Sequence, residues 1–185
     1  VNFLTGYGGG PLGLQNSLAT NAVYLPFEEC ESIVEGFFDN YPCLRRHISL
    51  YKDFIMQNGV AVSIFGRVRI FQEVFGEDKQ ASSKALRSGY NHLIQSTASD
   101  LMLMCLSVIE HLMREARLES MLVSTVHDSF VADCRIDELD KVHEICRAVI
   151  KNIPEVLRLV FGADYDDSWI IVPLDGDFEV GPNYL

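Results

Sequence analysis

The chain has 185 residues, of which 48% are apolar and 22% charged, an ordinary globular composition with enough length for a real core. A net charge of −11 argues against a general nucleic-acid coat, no apolar run approaches the roughly 20 residues that cross a bilayer, and the first ten residues lack the basic start of a signal peptide. These exclusions predict a cytoplasmic protein with no membrane partner, and an apolar opening without methionine reads as a piece of a longer product.

The opening is glycine-rich, and Pro11 suits the first turn of a short helix reaching about Thr20. Pro26 with Glu28 and Glu29 opens a second helix, with Phe27, Cys30, Ile33, Val34, Phe37 and Phe38 at helical spacing. Asn40-Tyr41-Pro42 breaks it, and a third helix over about 43–57 stops at Asn58-Gly59. Val60 to Phe65 reads as a strand, Gly66-Arg67 as a turn, and Arg69–Phe71 as a second strand. A long helical stretch over about 79–117 follows Gly76-Glu77-Asp78. Gly89 and the Gln95-Ser96-Thr97 group predict a bend or break in it, with Ser96 or Thr97 capping the second half. Met121–Val126 and Phe130–Cys134 predict a β-hairpin with a polar tip. Helices over about 138–150 and 154–161 come next, and Ile170–Leu174 and Phe178–Val180 are candidate strands. Strands without regular crossovers among dominant helices give the class α+β.

Charge is unevenly spread along the chain. Residues 1–44 hold five acids and no Lys or Arg, residues 45–87 hold eight bases against four acids (+4), and residues 88–185 hold seven bases against 17 acids (−10). The basic middle is either a solvated helix face or a phosphate-contacting strip. Five scattered cysteines without CxxC spacing read as reduced, mostly buried thiols.

Four groups of residues are candidates for chemistry. Asp128, between two apolar strands, is either a turn-former or a carboxylate held for a hard cation such as Mg²⁺. Phe3 and Tyr7 are four apart, so on a helix they share a face, as a stacking platform or as core. Arg87, Asn91 and Gln95 repeat every four residues and make one polar helical stripe, able to meet phosphate, sugar or base edges. Arg67, after Gly66 in a turn, is either a contact for a backbone phosphate or an ordinary exposed arginine. The Gly8-Gly9-Gly10 run lacks P-loop spacing, and no GxSxG elbow, HExxH or Cys/His cluster is present.

In their order these groups resemble DNA polymerases of family A, the bacterial DNA polymerase I and phage type. Asn2-Phe3-Leu4-Thr5-Gly6-Tyr7-Gly8 resembles the second half of motif B, Tyr41-Pro42 the "YP" two helices on, and Gly66-Arg67 with Arg69 the GRR strand turn. The run from Arg87 to Asp100 is similar to the RxxxNxxxQGTAAD helix. Val126-His127-Asp128-Ser129 resembles motif C, and Val172-Pro173-Leu174 with Val180-Gly181-Pro182-Asn183-Tyr184 the closing strands. The resemblance spans nearly the whole chain. It implies a helix-rich fingers segment over 1–95, with a small strand pair near 60–71. It also implies a partial palm over 96–185 whose antiparallel hairpin carries motif C.

The resemblance further implies roles. Asp128 would be a ligand of a catalytic Mg²⁺ pair and His127 a catalytic neighbour near the primer terminus. Phe3 and Tyr7 would bind the incoming dNTP, with Tyr7 stacking at the templating position. Arg67, Arg87, Asn91 and Gln95 would hold primer–template DNA. Ser129 stands where motif C usually ends in Glu, and Tyr184 where Trp is common. Two-metal transfer clamps the attacking and leaving oxygens between ions about 3.5–4 Å apart, bridged by carboxylates from different strands. Only Asp128 fits that part, since Asp133 lies farther along the same hairpin and Asp100 reads as structural. The expectation is a partner upstream segment carrying motif A and the motif B cations, without which the chain is inactive. His127-Asp128-Ser129-Phe130 also resembles single-subunit RNA polymerases, and a non-catalytic DNA-binding remnant is the reading from a different class.

Overall fold

The computed structural model describes residues 2–126 and 128–183, with the Phe3 side chain outside the description. Its elements are α1 (Asn2–Gly6), α2 (Pro11–Thr20), α3 (Phe27–Asn40), α4 (Pro42–Asn58), β1 (Val60–Val62), β2 (Val68–Ile70), α5 (Lys79–Glu115), β3 (Met121–Val126), β4 (Ser129–Asp133), α6 (Leu139–Lys151) and α7 (Ile153–Phe161). The two sheets are separate antiparallel pairs, β1 with β2 and β3 with β4, so the class is α+β and helix-rich. The chain divides into two compact units, Val1–Thr97 and Ala98–Leu185.

Local chemistry sets most of the boundaries. Proline occupies the first turn of α2, α4 and α7, where its missing N–H costs nothing. Glu28 and Glu29 sit in the first turn of α3, opposite the positive end of the helix dipole. Asp78 Oδ1 accepts from Gln80 N–H at 2.8 Å and Ala81 N–H at 3.1 Å, capping α5. Gly59 ends α4 at φ +67°.

The first unit has two small cores. Leu14, Cys30 and Val34 are buried together, with Leu4, Leu18, Leu25 and Phe38 around them. Ile55, Ala61, Phe71, Val74 and Ala85 form the other, flanked by Tyr51 and Leu86. Tyr51 ties α4 to β1, since its hydroxyl donates to Val62 O at 2.7 Å and accepts from Val62 N–H at 2.8 Å. In the second unit the buried side chains are Cys105, Leu106, Ile109 and Met113 on α5, Val142, Ile145, Cys146 and Val149 on α6, and Ile153, Val156 and Leu157 on α7. Their spacing is that of single helix faces. Burial pushes the Cys105 and Cys146 thiols up to about 11, so they remain unreactive core groups.

Several sequence expectations need correction. The helix over 79–115 is assigned without a break. Gly89 serves close approach: a Cβ there would lie 2.7 Å from Ile55 Cδ1 and 3.3 Å from Phe71 Cε2. Ser96 and Thr97 are not caps. Their hydroxyls donate back to the carbonyls of His92 and Leu93, which lets polar residues sit inside a helix. Of the strands, β1 is shorter than expected at three residues, and β2 and β4 each start one residue earlier than expected, at Val68 and Ser129. Residues 170–174 and 178–180 are not strands among the described residues. Ile171 is 85% exposed, and an apolar segment with no neighbouring strand has nothing to pair with. The absence of a membrane span is not overturned by α5, which is long and apolar enough to cross a membrane by length and composition alone, with an 18-residue window of mean hydropathy 1.3, a test that a core helix passes equally.

A carboxylate network holds the start of β3. Glu138 accepts from the backbone N–H groups of Glu119 and Ser120 and from Ser120 Oγ. These bonds hold its carboxyl below the usual glutamate range. A depressed folded pKa means this stabilisation is present above the unfolded value and is lost as pH falls through the folded one. Glu138→Gln is therefore expected to flatten the loss of melting temperature between about pH 5 and pH 3, and an acid limb as steep as the parent's would remove Glu138 from the effect. At Gly89, alanine gains about 1 kcal/mol of helix propensity but overpacks Ile55 and Phe71 at a cost of about 1–3 kcal/mol. Gly89→Ala is thus expected to lower stability by about 1 kcal/mol in urea unfolding, and a gain would show that Ile55 turns aside freely.

Candidate functional site

The first unit gathers one candidate surface from the end of α1, the middle of α4 and the first half of α5. The end of α1 is fixed by its glycines. Gly8 N–H donates to Thr5 O and Gly9 N–H to Leu4 O, both at 2.9 Å, the paired bonds of a Schellman cap. Gly8 has φ +78°, a left-handed conformation that suits glycine. A Cβ on Gly9 would lie 2.8 Å from the Leu4 carbonyl oxygen. The glycine run is therefore a helix terminator. Tyr7 falls in the turn after α1, not on the helix, so the expected shared helical face with Phe3 does not extend to it. The Phe3 side chain lies outside the described residues.

Behind this turn stands Tyr90, 1% exposed, with the His47 ring 6.1 Å and the Tyr51 ring 6.4 Å from it, both edge-on. Burial raises the Tyr90 phenol, and the neighbouring Tyr7 raises it further. Lys52 on α4 reaches the same turn. A Cβ on Gly8 would meet its Nζ at 3.3 Å and Tyr90 Cδ1 at 3.8 Å. Burial lowers the Lys52 ammonium, and the positive charge of Arg87 lowers it further. Arg87, Asn91 and Gln95 all lie on α5. Arg87 is exposed and donates from Nη1 to Ser83 Oγ at 3.1 Å. Asn91 is half-buried, and its Oδ1 is enclosed with no hydrogen-bond partner among the described residues. Gln95 is exposed. Arg67 follows a turn in which Gly66 N–H donates to Ser63 O at 3.0 Å. Its carbonyl lies 3.2 Å from His92 Nε2, which brings the β1–β2 turn against α5 beside Asn91.

Sequence reasoning found Tyr7, Arg67, Arg87, Asn91 and Gln95 but missed Lys52 and Tyr90. The signal for Lys52 lay in the net positive stretch over 45–87. Nothing local distinguished it from the other bases there.

In the second unit, β3 and β4 pair from Met121↔Asp133 to Val126↔Ser129, with a register shift between Leu122 and Ser124. A bulge of this kind bends the ribbon and re-aims the residues beyond it. Val126↔Ser129 closes a two-residue tip, which carries Asp128. Asp128 is exposed and makes no hydrogen bond or ion pair among the described residues. Ser129 Oγ donates to Val126 O at 2.8 Å, so its hydroxyl braces the tip. His127 lies outside the described residues, as does Tyr184. Asp133 is the last residue of β4, and Asp100 is buried on α5. Among the described residues no three His, Cys, Asp or Glu side chains gather as a metal site. One exposed, unengaged carboxylate on a rigid tip fits a hard cation that takes one or two protein oxygens and fills its other positions from water and phosphate.

Comparison with known proteins fits both surfaces. The sequence model of DNA polymerase family A matches residues 1–185. The chain is 33% identical to the DNA polymerase of Escherichia phage T5 over 95% of its own length and 21% of that protein's. It is 29% identical to the DNA polymerase of Bacillus phage SP01 over 93% of its length and 18% of that protein's. The chain thus spans about a fifth of the length of these curated relatives. Among solved structures, the POL domain of Pol1 from M. smegmatis, in complex with DNA primer-template and dNTP, is similar in fold, with a TM-score of 0.75 at 22% identity over 82% of this chain and 26% of that one.

The enclosed Asn91 carboxamide separates stability from binding. An enclosed acceptor without a partner costs about 1–3 kcal/mol, and leucine is the better helix former. Asn91→Leu is therefore expected to keep or raise the urea midpoint. A loss beyond about 1 kcal/mol would show that the carboxamide is a structural group.

Proposed function

Since the chain belongs to DNA polymerase family A, we propose that it is the carboxy-terminal portion of a DNA-directed DNA polymerase and takes part in template-directed nucleotidyl transfer in DNA replication or repair. The observation that carries this reading is Asp128, an exposed carboxylate with no engaged partner among the described residues, at a hairpin tip in the run Val126-His127-Asp128-Ser129. Val1–Thr97 is read as a fingers-like segment and Ala98–Leu185 as a partial palm. The work is shared with an upstream segment that carries motif A and the second carboxylate, and the chain by itself does not extend primers. In that assembly the enzyme is intracellular, and α5, with Asp100, Ser96 and Thr97 buried along it, is a core helix.

Each residue has a physical task. Asp128 offers carboxylate oxygens to Mg²⁺, whose chemistry when bound is to stabilise the charge on the attacking and leaving oxygens. His127 lies beside it near the primer terminus. Ser129 cannot substitute for an acid, because its hydroxyl is spent on Val126 O. Phe3 packs on the sugar of the incoming deoxynucleotide, and Tyr7, held just past the Schellman cap, stacks at the templating position. Arg87, Asn91 and Gln95 line up one turn apart, so a guanidinium and two carboxamides face one stretch of primer–template. The enclosed Asn91 Oδ1 fits this, as an acceptor awaiting a donor from a base or sugar. Arg67 meets the duplex backbone from the β1–β2 turn.

The test is primer extension by the polymerase that contains this segment. Asp128→Ala is expected to cut the rate by about three orders of magnitude or more, since several kcal/mol of charge stabilisation depend on the metal. Its affinity for primer–template in a mobility-shift titration should stay within about threefold of the parent. Unchanged turnover would remove Asp128 from the metal site and with it this assignment.

A further inference from the structure

Resting on the reading of this chain as the DNA-handling part of a polymerase, we infer that Lys52 is a further DNA-binding residue, forming with Arg87 a two-cation cradle for one backbone phosphate beside the Tyr7–Gly8 turn. The placement is specific. Lys52 is half-buried on α4, and its Nζ comes within 3.3 Å of where a Cβ on Gly8 would stand. A lysine on a surface helix ordinarily extends its ammonium into water. This one instead lies against the turn after α1, which the Tyr90 ring also approaches, and the positive charge of Arg87 acts on it.

Six bases pair with acids, while Arg46, Lys79, Lys84, Arg117 and Arg147, which make no ion pair among the described residues, are all exposed to water, unlike half-buried Lys52. Arg45 pairs with Glu35, Arg114 with Glu110, Arg135 with Glu119 and Asp137, Lys141 with Glu144, Lys151 with Asp175, and Arg158 with Glu155 and Asp167. Lys52 makes no ion pair or hydrogen bond among the described residues, and Arg87 binds only the neutral Ser83 hydroxyl. A purely structural task for Lys52 would be to satisfy the carbonyl end of α1. That end is already closed, because Leu4 O and Thr5 O accept from Gly9 and Gly8. Two cations held together without an acid are balanced by an anion from outside. A phosphate diester supplies one negative charge and several acceptor oxygens, matching an ammonium and a guanidinium side by side. The wall of the same surface carries the ligand-ready Asn91 acceptor.

The test is fluorescence anisotropy of a labelled primer–template with the polymerase that contains this segment, across about 50 to 300 mM KCl. Lys52→Gln is expected to make the slope of log K against log[KCl] shallower by about 0.9, one phosphate contact on duplex DNA. Lys52→Arg should keep the parental slope, as should Lys79→Gln, which removes an exposed base at the start of α5. The melting temperature of Lys52→Gln should hold or rise, since a repulsion is relieved. An unchanged slope in Lys52→Gln overturns the inference and leaves the polymerase reading intact. So does a fall of about 5 °C or more in its melting temperature, which would mark Lys52 as structural. Weaker binding of a dNTP with an unaltered DNA slope also overturns it, by giving the phosphate to the nucleotide. If the parental polymerase shows no salt-dependent binding of primer–template at all, the polymerase reading falls, and the inference falls with it.

Discussion

The organisation of the first unit depends on one close approach, the contact of α5 with Ile55 and Phe71 at Gly89. Any side chain at that position would hold the helix away from α4 and β2. Because Arg87, Tyr90 and Asn91 lie within two residues of Gly89, the same contact sets their height against Lys52 and the turn after α1. Ile55 is fully buried, and a fully buried aliphatic side chain contributes about 1.5–3 kcal/mol. Packing of that size fixes the helix, and the polar stripe is carried into place by it. The groups that would touch DNA are thus held by a core they do not join.

Charge divides the molecule in a way that composition alone does not. In the second unit five of the seven bases pair with acids, most of the 17 acids stay unpaired among the described residues, and Glu138 is absorbed in holding the start of β3. Exposed pairs of that kind contribute little to stability. Lys52 differs from the other bases in its burial: it is half-buried without an ionic partner among the described residues, whereas the other unpaired bases are exposed to water.

How legible this was in the sequence depended on the range of the interaction involved. Prolines, acidic first turns and the Asn58-Gly59 stop were read correctly because they act within four or five residues. The hairpin carrying Asp128 was visible because two apolar runs flank a polar tip, and motif order supplied the family. Gly89 was misread because its neighbours, Ile55 and Phe71, are far away in sequence, and a glycine in a helix looks like a weakness until they are seen. Ser96 and Thr97 were misread for the opposite reason. Their hydroxyls serve carbonyls four residues back, a bond that composition does not distinguish from capping. The tail strands were inferred from apolar runs, which carry no information on whether a partner strand stands beside them. Lys52 was invisible because its meaning lies in what surrounds it, and two of those neighbours, Gly8 and Tyr90, come from the turn after α1 and from α5.

The phenol of Tyr51 has one more consequence. In the β1–β2 ribbon the backbone groups of Val62 point away from β2, and a two-stranded ribbon leaves such groups as a template on which another extended chain can add. By both donating to and accepting from Val62, Tyr51 does what a third strand would do, with a single hydroxyl. The ribbon therefore has a closed margin at that residue, and recruitment of a foreign strand there is blocked by a side chain from the preceding helix.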